Sequence, residues 1–124
     1  MNYVFDTWST NPGSISTELR TEYLRFFQKP AILKSICAEY RATSIDIEHE
    51  RNDSDNKKII EAPALVLWSD NDFPKNAESP LGIWKNWCSN VDGIGLPVGH
   101  FLMEEAPEAV EKEMQKFFSS AIFD

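Results

Sequence analysis

His100 stands between Gly99 and Phe101, directly after a short apolar stretch of strand character, Ile94-Gly95-Leu96-Pro97-Val98. A helix is predicted to open soon after it, at Pro107. A histidine on a loop at the carboxyl end of a strand is well placed to act as a general base, since imidazole is suited to proton transfer near neutral pH. Such a base needs its ring held in one orientation, and a carboxylate on a neighbouring strand end can supply that. The loop Ser69-Asp70-Asn71-Asp72 offers two carboxylates. Asp72 precedes His100 by 28 residues, room for one helix and one strand, and is the candidate orienting acid. Both aspartates read equally as turn formers. No residue reads as a nucleophile on a sharp strand-to-helix turn.

The other chemistry-bearing residues have plainer readings. His49 lies in Glu48-His49-Glu50 on a predicted helix, and no second histidine or cysteine stands at metal-ligand spacing from it. Neither a metal nor any other cofactor is expected. Glu104, Glu105 and Glu108 surround a helix start, where helix-dipole complementarity and solvation account for them. Tyr40 lies on an apolar stripe and is expected in a core, with a phenol able to donate a hydrogen bond into a pocket. Cys37 and Cys88 form neither a C-x-x-C pair nor a disulfide framework, and two buried thiols in a reducing compartment are expected.

These residues are carried by two stretches of different character. The first half reads as helical. Leu19, Tyr23, Phe26 and Phe27 line one face of a helix over residues 17–28, which Lys29-Pro30 ends. Leu33, Ile36, Cys37 and Tyr40 stripe the next helix, and a third is expected to follow Ser44. Residues 51–58 are almost wholly polar and mark the best internal boundary. Beyond it, Ala64-Leu65-Val66-Leu67-Trp68 is a continuous apolar run, the pattern of a strand covered on both faces. A helix from Ser79-Pro80, with Leu81, Trp84, Trp87 and Cys88 on one face, leads to a second strand over residues 93–97. Val110, Met114, Phe117 and Phe118 stripe the last helix.

The order strand, helix, strand, helix predicts an α/β fold with parallel pairing and a right-handed crossover. Two parallel strands make a poor sheet alone, so further strands are expected beside them, from a partner chain or from sequence outside this one. The 124 residues suit one domain or a piece of one, and 42% apolar residues can build a core. A net charge of −8 argues against nucleic acid and anionic membrane surfaces. No apolar run approaches a membrane span, and no secretory signal is visible at Met1-Asn2-Tyr3-Val4-Phe5-Asp6, so a cytoplasmic protein is expected.

Three sets of residues together resemble the carboxyl-terminal part of α/β-hydrolases, and haloacetate (fluoroacetate) dehalogenases among them. The first is Pro63-Ala64-Leu65-Val66-Leu67-Trp68, with Ser79-Pro80-Leu81, Ile83-Trp84 and Trp87. The second is Gly99-His100-Phe101-Leu102 with Glu104-Glu105-Ala106-Pro107-Glu108. The third is Phe5-Asp6-Thr7-Trp8, Cys37-Ala38-Glu39-Tyr40-Arg41-Ala42 and Asp46-Ile47-Glu48-His49-Glu50, similar to the end of that family's helical cap. The resemblance implies a partial α/β-hydrolase fold. Residues 1–58 would be the carboxyl-terminal part of the cap, and residues 59–124 the last two parallel strands of the core with their helices.

The reaction implied is hydrolytic removal of halide from a short 2-haloacid. An aspartate attacks carbon to give an ester, and a histidine then activates the water that hydrolyses it. By this resemblance His100 is the water-activating base and Tyr40 binds the departing halide. Asp72 stands where many α/β-hydrolases carry the orienting acid; the alternative that the resemblance leaves open is an orienting acid on an earlier strand, upstream of this chain. The nucleophile, the oxyanion donors and the arginines that hold the substrate carboxylate would lie upstream, so the chain is expected to be a fragment, inactive alone. Epoxide hydrolase and carboxylester hydrolase are alternatives within the fold. A non-catalytic interaction module is the alternative outside it. The expected partner is a small-molecule substrate, with a homo-oligomer left open.

Overall fold

The computed structural model describes residues 2–120. At its centre β1 (Ala64–Ser69) and β2 (Val91–Leu96) run parallel, in register from Ala64 opposite Val91 to Ser69 opposite Leu96. An isolated parallel bridge between Ile60 and Cys88 extends the pairing towards the strand starts. The connection from β1 to β2 passes through α4 (Pro80–Trp84), whose N-cap Ser79 accepts the Gly82 N–H. The helical stripe expected to reach Cys88 stops early. Asn86 and Trp87 turn tightly onto the carbonyls of Ile83 and Trp84, and this delivers Cys88 to its bridge with Ile60.

Beyond β2 lie the short α5 (Leu102–Glu105) and then α6 (Pro107–Ser120), which packs on β1. The apolar run of β1, expected to be covered on both faces, is half-buried up to Ser69. Among the described residues the sheet has two strands, too few to cover it. Gly95 in β2 has a role here: a side chain at that position would overlap the Asp70 carboxylate and the Trp68 indole.

Residues 2–15 depart from the expected division at residue 58. They form one compact unit with the chain from Ile59 onward, through contacts with the loops that follow the strands. Burial explains this. Phe5 on α1 (Asn2–Trp8) is 1% exposed and meets the Phe101 ring at 5.3 Å between centroids. Ile15, Cys88, Leu96 and Val110 complete the buried apolar set. A single 3-10 turn (Pro12–Ser14), capped by the Asn11 side chain on the Gly13 N–H, closes the segment.

Ser16–Lys58 form the second compact unit, made of α2 (Thr17–Phe27) and α3 (Pro30–Asp55). Ser16 caps α2 by accepting the Leu19 N–H, and backbone and Ser16 hydrogen bonds hold the Glu18 carboxyl below the usual range. Expected as two helices with a start after Ser44, α3 is continuous. The Thr43 hydroxyl bonds back to the Tyr40 carbonyl at 2.9 Å, so this polar group is satisfied inside the helix.

The polar run at residues 51–58 is mostly helix and ends in a hydrogen-bonded cap. Lys57 N–H donates to the Ser54 carbonyl at 2.9 Å and Lys58 N–H to that of Asp53 at 3.0 Å, a Schellman arrangement. The Lys58 ammonium also bonds the Asp53 carboxylate and holds its pKa below the ordinary value. Both lowered carboxyls, Glu18 and Asp53, favour the folded state at neutral pH and lose that contribution as the pH falls through their folded pKa values. Among the described residues no helix is long and apolar enough to cross a membrane.

The Schellman cap puts Lys57 at φ 51°, a left-handed conformation that glycine adopts without steric cost. Lys57→Gly is expected to stabilise the chain by up to about 1 kcal/mol. Urea unfolding followed by circular dichroism checks this, with a raised midpoint expected.

Candidate active site

The site grows from the carboxyl ends of the two strands. Ser69, the last residue of β1, is 3% exposed. Its hydroxyl donates to the Val98 carbonyl at 2.7 Å and accepts the N–H groups of Asn71 and Asp72, each at 3.2 Å. One buried oxygen therefore bends the loop after β1 into a turn and ties it to the loop after β2. Asp70 N–H adds a bond to the Leu96 carbonyl at 2.9 Å. The Asn71 side-chain amide donates to the Val98 carbonyl at 3.0 Å and to the Thr10 hydroxyl at 2.9 Å.

The consequence is a contact across 28 positions of sequence: His100 Nδ1 lies 2.9 Å from Asp72 Oδ2. A carboxylate accepts, which makes Nδ1–H the donor in this contact; in the neutral ring Nε2 is then the acceptor. The imidazole is fixed from several other directions. Its backbone N–H donates to the Trp8 carbonyl at 2.8 Å. The Trp8 ring meets it edge-on at 5.0 Å, and the Phe101 ring does so at 5.4 Å. The two side chains stay 53% and 36% exposed, so the pair faces outward. It faces an open cleft of about 590 Å³, lined by Thr7, Trp8, Ser9, Thr10, Asn71, Phe73 and Gly99 together with the pair.

Gly99 is required by close approach. A Cβ there would lie 2.5 Å from both Thr10 N and the Trp8 carbonyl oxygen. The loop carrying His100 thus packs backbone against backbone on the segment after α1.

The remaining sequence candidates fall elsewhere. The Asp70 carboxylate sits beside Gly95, outside the cleft. Tyr40 lies on α3 in the Ser16–Lys58 unit and is 78% exposed, not the core residue expected. Its apolar stripe is shared between two helices that bury no residue fully. His49 is exposed on the same helix, and among the described residues no group of three metal-ligating side chains occurs. Cys88 is buried, but Cys37, expected to be buried, is exposed on α3; both are free thiols.

Glu105, read as a helix-dipole residue, instead accepts the N–H groups of Thr10 and Asn11 at 2.8 and 3.0 Å. Trp8, Ser69 and Glu105 were not legible as site residues, because their partners stand far away in sequence. The signal nearest to one was the small polar residue ending an otherwise apolar strand at Ser69.

Searched against known protein families, the chain matches no family model. It is 25% identical over 118 residues to a fluoroacetate dehalogenase from Burkholderia sp, covering 95% of this chain and 38% of that protein. Among solved structures it matches a protein from Nostoc sp PCC 7120, provisionally described as an α/β hydrolase, with TM-score 0.84 and 33% identity. That match covers 94% of this chain and 40% of the other. A protein from Pseudomonas aeruginosa, provisionally described as an epoxide hydrolase, matches with TM-score 0.77 and 31% identity over 86% of this chain and 36% of its own. A provisionally described acyltransferase from Salmonella enterica gives TM-score 0.81 and 29% identity, over 98% and 41%.

The chain thus has a partial α/β-hydrolase fold, two parallel strands with their helices. Over most of its length its sequence is similar to that of a fluoroacetate dehalogenase. It spans about two-fifths of the length of the relatives it matches.

Replacing Ser69 by alanine leaves the Val98 carbonyl and the two loop N–H groups without this partner. The substitution is expected to cost roughly 1–3 kcal/mol and to loosen the Asp72 loop. Denaturant unfolding gives the first quantity. Amide exchange at Asn71 and Asp72 gives the second, and both amides are expected to exchange faster.

Proposed function

We propose that this chain supplies the water-activating part of a haloacetate dehalogenase-like hydrolase. The observation that carries the reading is the 2.9 Å contact between His100 Nδ1 and Asp72 Oδ2 at the ends of adjacent parallel strands. Sites of open parallel sheets lie at such strand ends. Asp72 keeps the Nδ1–H tautomer and stabilises the imidazolium, and Nε2 takes the proton from water as that water attacks an enzyme ester. Collapse of the tetrahedral intermediate then frees the hydroxyacid and restores the nucleophilic carboxylate. The similarity to the Burkholderia enzyme supports a haloacid as substrate.

Tyr40, in this reading, comes from the cap and donates its hydroxyl to the departing halide, where negative charge develops. The ester-forming aspartate is not among the described residues that line the cleft, where Asp72 is the one carboxylate. The 124-residue chain by itself is therefore expected to release no halide.

The epoxide hydrolase-like neighbour favours a second reading. Opening an epoxide through an enzyme ester would use the same base and the same orienting acid, so the two differ in substrate.

The test is a chimera in which this chain replaces the matching segment of the Burkholderia fluoroacetate dehalogenase. Fluoride release from fluoroacetate is expected, falling by about 10²–10⁴-fold in His100→Ala and Asp72→Asn. Tyr40→Phe is expected to lose about 10²-fold. Turnover of an epoxide without fluoride release would favour the second reading. Activity that survives His100→Ala would remove the histidine from the mechanism. The unfused chain, incubated with fluoroacetate, is expected to give no more fluoride than its own His100→Ala variant.

A further inference from the structure

The carboxylate of Glu105, at the end of α5, is the anchor of a joint behind the His100–Asp72 pair. Its Oε2 accepts two successive backbone N–H groups, Thr10 at 2.8 Å and Asn11 at 3.0 Å. Those residues follow Trp8, whose carbonyl takes the His100 N–H at 2.8 Å. The Thr10 hydroxyl takes the amide of Asn71, the neighbour of Asp72. One carboxylate thus fixes a strap that touches both sides of the pair, although it lies 95 positions from Thr10.

A second observation falls on the same residues. Among the described residues, the buried side-chain polar atoms without a hydrogen-bond partner are Glu105 Oε1 and Ser9 Oγ. Both belong to this joint: one on the anchor, one on the strap. Gly99 leaves room for it, since a Cβ there would come within 2.6 Å of Glu105 Oε1. Burying a carboxylate oxygen unpaired is costly, and charge-assisted bonds from two amides through the other oxygen offset it. A solvated residue serving a helix dipole would carry neither feature.

We propose that Glu105 is a positioning residue for the His100–Asp72 pair, acting through the segment from Trp8 to Asn11. The inference rests on the reading of His100 as a base. Glu105 touches no reacting atom. It holds the strap, the strap holds the His100 backbone through Trp8 and the Asp72 loop through Asn71, and the imidazole keeps its orientation.

The experiment uses the 124-residue chain and nuclear magnetic resonance, which needs no turnover. Amide exchange of His100, the ¹⁵N shifts of its imidazole and the exchange of β2 amides are measured in wild type, Glu105→Ala and Glu105→Gln. In Glu105→Ala, which removes both bonds to the strap, His100 amide exchange is expected to rise at least about tenfold, with the ring shifts displaced and β2 still protected. Glu105→Gln retains an acceptor oxygen and is expected to restore most of the protection.

Unchanged His100 exchange and ring shifts in Glu105→Ala, with β2 protected, would overturn the proposal, and so would equal effects of Ala and Gln. Should the alanine variant lose β2 protection as well, Glu105→Asp, which keeps the charge and shortens the reach, is read in the same way. Faster exchange at His100 alone then supports the proposal, and no change refutes it. Because these readouts are made without substrate, failure of the dehalogenase reading in the chimera leaves the positioning result intact, and the converse also holds.

Discussion

The described architecture of the site depends on a single buried hydroxyl. Ser69 sits where β1 ends, 3% exposed, and its oxygen serves three backbone groups drawn from two loops. Parallel strands bring their carboxyl ends side by side, but they do not say how the loops beyond them turn. The Ser69 hydroxyl answers that for both loops together. It turns Asn71 and Asp72 back over the strand end and joins them to Val98, two residues before His100. The 2.9 Å approach of Asp72 to His100 follows from that junction.

Around this junction the molecule is built from backbone contacts more than from side-chain bulk. Few apolar residues are fully buried, and the strands themselves are half-covered. The pair is partly open to solvent, where a contact between two side chains adds little to stability. Its orientation comes instead from the Trp8 carbonyl, the two aromatic rings against the imidazole, and the Asn71 amide bonded to Thr10. Gly99 makes this feasible, because only a residue without a Cβ lets the two backbones meet so closely.

What the sequence revealed, and what it hid, divides by range. The two parallel strands, the crossover between them and the last helix were legible because their apolar patterns are local. The loop aspartate and the loop histidine could be named as a candidate pair because strand ends in such sheets converge. The Glu105 contacts were not legible, since a glutamate beside a helix start is sufficiently explained by the dipole. The packing of residues 2–15 on the loops beyond the strands was hidden for a related reason. Helical character at Asn2–Trp8 resembles that of the helices after it, and contacts distant in sequence, such as Phe5 against Phe101 and Trp8 against His100, separate them. The cap that ends α3 was not legible, because Lys57 occupies a left-handed position where glycine would have announced it.

The strap from Trp8 to Asn11 has a consequence for the order in which the molecule assembles. Its bonds to His100, Asn71 and Glu105 close loops of some 60 to 95 residues. Closing a loop of that size costs chain entropy before any contact repays it. The strands, paired across a much shorter separation, are positioned to form first, and the strap docks on them afterwards. The strap's grip on His100 is thus expected to form after the strands pair and to be among the contacts that local opening releases early.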